Sequence, residues 1–119
     1  METFRDLVVW QKSMALAESI YVITKYFPKE EQFGLISQIR RSAVSIPANI
    51  AEGYGRQSLP DYIRFLKISR GSLFELQTHI ELSRRFSYLN ENDFIDILNN
   101  TNEIGRMLNS LIKRLEAKK

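Results

Sequence analysis

A chain of 119 residues leaves room for one hydrophobic core and one domain, residues 1–119, and none for a second globular unit. Apolar residues make up 44% and charged residues 26%, with five Gly and three Pro, which excludes collagenous, low-complexity and disordered chains. The absence of Cys removes disulfide scaffolds, thiol nucleophiles and Cys-based metal sites, the single His leaves little for acid–base chemistry, and 17 Lys and Arg against 14 Asp and Glu give only +3. The expectation is a protein that is not an enzyme and carries no cofactor.

The opening METFRDLVVWQK sets Glu2, Arg5, Asp6 and Lys12 around a short apolar run, far below a secretory core or a membrane span, so a cytoplasmic protein with no membrane partner is expected. A first helix follows. Its stripe is broad, with Trp10, Met14, Ala17 and Tyr21 on one line beside Val9, Leu16, Ile20, Ile23 and Phe27. Pro28, with Lys29 to Glu31 after it, ends this helix and opens the second.

The second stripe is Ile36, Ile39, Ala43, Ile46 and Ile50. Pro47 removes one backbone hydrogen bond inside it, and because the stripe continues to Ile50 the prediction is a kink near Pro47. The alternative, a helix ending at Ser45 and a new one starting at Pro47, stays open. Gly53 and Gly55 read as punctuation at the helix end. Ser58 is the predicted N-cap of the third helix, with Pro60 and Asp61 in its first turn, and its stripe is Tyr62, Leu66, Ser69, Leu73, Leu76 and Ile80, losing apolar character at Ser83. Asn90 or Asn92 caps the fourth helix, whose stripe is Phe94, Ile97, Thr101, Ile104, Leu108, Leu111 and Leu115. No strand-like alternation is sustained. The fold class is therefore all-α, an antiparallel up-and-down four-helix bundle with helix 2 kinked near Pro47. Ile39, Ile46, Ile50, Leu66, Leu73, Ile80, Ile104, Leu108 and Leu111 are the expected core.

Viewed down helix 2, the core stripe lies opposite Arg41. One flank is polar, with Ser45, Asn49, Glu52 and Arg56; the other holds Arg40, Pro47, Ala51, Val44, Ser37 and Ala48, mostly small or apolar. A bundle helix buries one stripe only, so the second apolar flank is surplus, and Val44, Pro47, Ala48 and Ala51 are candidates for an interface between protomers; solvated filler is the alternative.

Basic residues able to meet phosphate are Arg40, Arg41 and Arg56 on helix 2, Arg64, Lys67 and Arg70 on helix 3, and Lys113, Arg114, Lys118 and Lys119 at the end of the chain. Charge is spread evenly along the chain, so a nucleic-acid surface must be assembled by the fold. His79 follows Glu75 by one turn and lacks the paired Glu-x-x-His units of a metal-binding bundle; a surface His loosely paired with Glu75 is expected. No G-x-S-x-G elbow appears, and Gly53-Tyr54-Gly55 lacks the rest of a phosphate loop.

The run RRSAVSIPANIAEGYGR at 40–56, with FRDLVVWQK at 4–12 and RGSLFEL at 70–76, resembles the bacterial family of 23S ribosomal RNA intervening-sequence proteins, and the likeness covers nearly the whole chain. It implies a small up-and-down bundle that assembles as a ring-like homopentamer, with Arg41, Asn49 and Glu52 joining a network to the neighbouring protomer; a plain intrahelical pair of Glu52 with Arg56 is the alternative. The family is similar to the accessory variability protein of diversity-generating retroelements, a basic barrel that engages RNA and a reverse transcriptase. The resemblance thus implies a non-catalytic oligomeric accessory protein, partnered by itself and by structured RNA or a nucleic-acid enzyme; a structural or protein-interaction scaffold is the alternative. If nucleic acid binds, Arg41, Arg56 and Arg64 on rigid helices are expected to contribute more than Lys118 and Lys119.

Overall fold

The computed structural model describes residues 2–118. It begins with a capped turn: the Thr3 hydroxyl accepts from the Arg5 amide at 3.0 Å, and the Asp6 carboxylate accepts from the Glu2 and Thr3 amides at 2.8 and 3.2 Å. Those two backbone donors, Glu2 first, hold Asp6 below the ordinary carboxylate range. Four helices follow, α1 (Val8–Thr24), α2 (Leu35–Gly55), α3 (Leu59–Arg85) and α4 (Glu91–Glu116), and no strand occurs among the described residues.

The first helix ends earlier than Pro28 suggested. After Thr24 the amides of Tyr26 and Phe27 reach back to Ile23 and Thr24 in tighter bonds of 3.2 Å, which folds Phe27 into the core. Pro28 then caps a separate short turn, Lys29–Glu31, and α2 starts only at Leu35. Ser58 caps α3 and Asn90 caps α4, each accepting from the amide three residues on, at 3.5 and 2.8 Å; Asn92 lies inside α4. Gln57 and Ser87 adopt positive φ values of 54° and 65° in the links after α2 and α3, where a tight reversal needs the left-handed region. The chain crosses Pro47 as one unbroken helix, so a break after Ser45 does not occur.

One hydrophobic cluster draws side chains from all four helices. Eight of the nine expected core residues are buried; Leu111 is only half-buried, and its neighbour Ile112 takes the interior position. On α1 the broad stripe resolves differently from the expected line. Of that line Met14 and Tyr21 are exposed, Trp10 is half-buried and Ala17 is buried, together with Val9, Ser13, Leu16, Ile20 and Thr24. Two hydroxyls enter this core because each satisfies itself on its own helix, Ser13 donating to the Val9 carbonyl and Thr24 to the Ile20 carbonyl at 2.7 Å. Ser83 does the same toward His79 at 2.8 Å, so burial continues past the point where apolar character stops.

Each helix packs on its neighbours in sequence and α1 also meets α4, while the diagonal pairs stay apart among the described residues. The most extensive seam joins α2 and α3, where Gly53 lets the backbones close up: a Cβ there would lie 2.7 Å from Cβ of Phe65. Gly53 is thus a packing residue as well as a helix-end signal. Gly55 has open space around it.

Candidate nucleic-acid and oligomer interfaces

The six basic candidates on α2 and α3, Arg56 included at the end of α2, separate once their partners are known. Arg40 is spent inside the protomer: its Nε donates to the Thr24 hydroxyl at 2.9 Å, a terminal nitrogen donates to the Tyr21 carbonyl at 3.3 Å, and its guanidinium lies 4.5 Å from the Tyr21 ring centre. It closes the C-terminal end of α1, where free carbonyls favour a cation. Lys67 and Arg70 tie α3 to α4, Lys67 through a 3.0 Å ion pair with Glu116 and Arg70 through a 2.9 Å bond to the Asn109 side-chain oxygen. Arg41 is exposed and makes no ion pair among the described residues.

Arg56 and Arg64 are brought together. They approach from either side of the α2–α3 link, and both guanidinium groups lie against the ring of Phe65, at 5.0 and 4.5 Å from its centre. Each also has a carboxylate one turn away, Glu52 at 3.0 Å and Asp61 at 3.5 Å, in pairs exposed enough to add little to stability. Arg64 and Lys67 line a shallow cleft together with Pro60, Ile63 and Ile68. A guanidinium held against an aromatic ring keeps donors for a phosphate and loses less freedom on binding than a free side chain. Phe65 escaped the sequence reading because it lies off the core stripe; the legible signal was an aromatic residue directly beside an arginine.

Tyr54 and Tyr62 meet edge-on at 5.8 Å beside this link. Burial raises the Tyr62 phenol above its ordinary value, the neighbouring Tyr54 adds to that, and Arg114 opposes it. Lys113 and Arg114 are exposed in the last turn of α4 and Lys118 is exposed just beyond it, and Lys119 lies outside the described residues.

The flanks of α2 also resolve. Part of its polar flank meets α3: the Ser45 and Ser72 hydroxyls lie 2.9 Å apart, and the half-buried Asn49 amide donates to the Ser45 carbonyl and hydroxyl at 2.8 and 2.9 Å, while Glu52 and Arg56 of the same flank are exposed. Asn49 is therefore used within the protomer. Of the small and apolar flank, Pro47 is buried and Ala51 half-buried, leaving Ser37, Val44 and Ala48 at the surface, the last two between Arg41 and Glu52. The histidine differs from expectation too. His79 is mostly buried, with Nε2 3.8 Å from Glu75 and Nδ1 enclosed without a hydrogen-bond partner. No group of three His, Asp or Glu side chains among the described residues is placed to hold a metal ion, and no helix among them is long and apolar enough to cross a membrane.

These features define a small four-helix bundle with a proline inside its second helix and an arginine–aromatic cluster at the following link. The chain belongs to the 23S rRNA-intervening sequence protein family, whose family model matches residues 5–110. It is similar to the crystal structure of a protein of unknown function from the S23 ribosomal protein family of Bacteroides thetaiotaomicron VPI-5482, with a TM-score of 0.83 and 36% identity over 89% of this chain and 96% of that one. A search of curated proteins found no match.

Proposed function

We propose that this chain is a non-catalytic cytoplasmic accessory protein that assembles into a ring of five copies and binds structured RNA, alone or together with an enzyme acting on nucleic acid. The protomer is read as an antiparallel up-and-down bundle with α2 bent at Pro47. Two pairs of cross-links support the direction: Ser45 with Ser72 and Ile46 with Ser69 run in opposite order along α2 and α3, as Arg70 with Asn109 and Gln77 with Asn102 do along α3 and α4. The missing amide at Pro47 in a continuing helix supports the bend.

The observation that carries the RNA reading is the convergence of Arg56 and Arg64 on Phe65. A ring would repeat that pair at fixed spacing, turning a modest charge of +3 per chain into a regular set of phosphate-binding groups. A mobility-shift assay with structured RNA across a salt series tests it. Affinity should fall steeply with salt, and Arg56→Ala with Arg64→Ala should reduce the slope by roughly 0.7 to 0.9 for each phosphate no longer neutralised. Truncation after Glu116 should reduce it less. Equal slopes for wild type and the double variant, or a larger drop on truncation, would favour the second reading, a protein-interaction scaffold. That reading draws support from Arg40, Lys67 and Arg70, which already serve as internal ties.

A further inference from the structure

A groove runs along the seam between α1 and α4, the most sparsely packed of the adjacent helix pairs. Three hollows of about 510, 150 and 430 Å³ follow one another along it. At one end Val8, Met107 and Leu111 give an apolar lining beside Arg106 and Arg114, with Asp6, whose carboxylate is held by the Glu2 and Thr3 amides, as the one acidic neighbour, so the two arginines outweigh it. In the middle the α1 wall is small, Ala15 and Ser19, and the Lys12–Glu103 ion pair spans the gap at 3.0 Å. At the other end Asp93 and Asp96 stand where the arginines stood. Arg106 and Arg114 are exposed and have no ion-pair partner among the described residues. The groove is therefore polar from end to end: basic and apolar, then small, then acidic.

The exposed ridge of α2 carries the complementary order. Arg41, Val44, Ala48 and Glu52 fall within about 80° of one another at 100° per residue, reading basic, apolar, small and acidic. Arg41 and Glu52 are ~16 Å apart along the helix, and Asp96 and Arg106 ~15 Å apart along α4, at 1.5 Å per residue. One oxygen of Glu52 accepts from Arg56 at 3.0 Å, which leaves the other for a partner.

We propose that the α2 ridge of one copy seats in the α1–α4 groove of the next, with Arg41 toward Asp96 and Glu52 toward Arg106 and Arg114. This rests on the ring and the up-and-down arrangement argued above. In that arrangement α2 and α4 run in the same direction, so the charges match between copies related by rotation alone, without inverting either. Ridge and groove are different surfaces, which makes the contact head-to-tail and lets it close into a ring. Two grooves facing each other across a two-fold axis would leave the hollows unfilled.

Light scattering on three proteins tests the pairing. The ridge variant is Arg41→Glu with Glu52→Arg; the groove variant is Asp96→Arg with Arg106→Glu and Arg114→Glu; the third chain carries both sets. Wild type should be multimeric at micromolar concentration. Each single set should weaken assembly by roughly tenfold or more, because like charges then face each other, and the combined chain should recover it. Ser110→Trp, which fills the groove wall without altering charge, should also dissociate the assembly, with helical circular dichroism retained in every variant. A monomeric wild type would overturn the ring itself. A multimeric wild type whose mass is unmoved by either set, or no recovery in the combined chain, would overturn this pairing and leave the ring standing. Loss of helicity in a charge variant would pass the decision to Ser110→Trp, where an unchanged mass counts against the proposal.

Discussion

The Tyr88 phenol donates a 2.9 Å hydrogen bond to one oxygen of the Glu31 carboxylate. The other oxygen of Glu31 accepts from the Leu35 amide at 3.3 Å, so one side chain joins the link before α4 to the first turn of α2. The rings of Phe27 and Phe86 stand 5.5 and 5.7 Å from that of Tyr88. This bond to Glu31 raises the Tyr88 phenol above its ordinary value of 10.0, with burial and the charges of Glu31 and Glu30 adding to it. The folded chain thus holds the phenolic proton more tightly than the unfolded chain. That contribution is fully present below pH about 10 and is lost as pH rises through the higher folded value. Thermal melts between pH 8 and 11 should fall less steeply on the alkaline side for Tyr88→Phe than for wild type. Tyr62 is raised in both proteins and cancels in the comparison. Identical alkaline slopes would contradict the assignment.

The glycines divide by what surrounds them. Gly53→Ala would set a Cβ 2.7 Å from Cβ of Phe65, against a side-chain base that moves only with the α3 backbone, and should destabilise the fold by about 1–3 kcal/mol. Gly71 lies within α3 with nothing near its Cβ position, so Gly71→Ala should stabilise by roughly 0.5–1 kcal/mol through helix propensity. Urea midpoints of the two variants should therefore move in opposite directions.

Ile46 and Leu73 are 0% and 1% exposed at the α2–α3 seam. Truncating either to Ala should cost about 2 to 5 kcal/mol, the sum of lost burial and the cavity left behind. Leu111→Ala, at a half-buried site beside the groove, should cost less than both. Equal losses at all three sites in chemical denaturation would place Leu111 in the core after all.

Ala48 is the exposed small residue at the middle of the α2 ridge. Ala48→Glu should lower the solution mass to that of a single 13.9 kDa chain without changing the helical circular dichroism. Light scattering near five times that mass for wild type fits the pentamer. A wild-type mass equal to one chain would end the assembly hypothesis.

Much of the core was readable in advance. Leu and Ile at alternating steps of three and four line up on one side of a helix, so Ile39, Ile46, Leu66, Leu73, Ile104 and Leu108 share the side that must be covered. The Ser58 cap was legible too, and the α4 cap was narrowed to Asn90 or Asn92, because a cap satisfies amides a few residues away. Ser13, Thr24 and Ser83 were not. A hydroxyl enters an apolar interior when its own helix supplies an acceptor, and whether that face is covered depends on which helix lies opposite. The arginines mark the same limit. Arg40, Arg56, Arg64 and Arg70 are alike by composition, yet Arg40 closes α1 through a residue 16 positions away, Arg70 binds one 39 positions away, and Arg56 and Arg64 share a ring. Local periodicity sets which side of a helix is buried; only the packing of helices sets what each exposed or half-buried side chain meets, because its partner comes from a distant part of the chain.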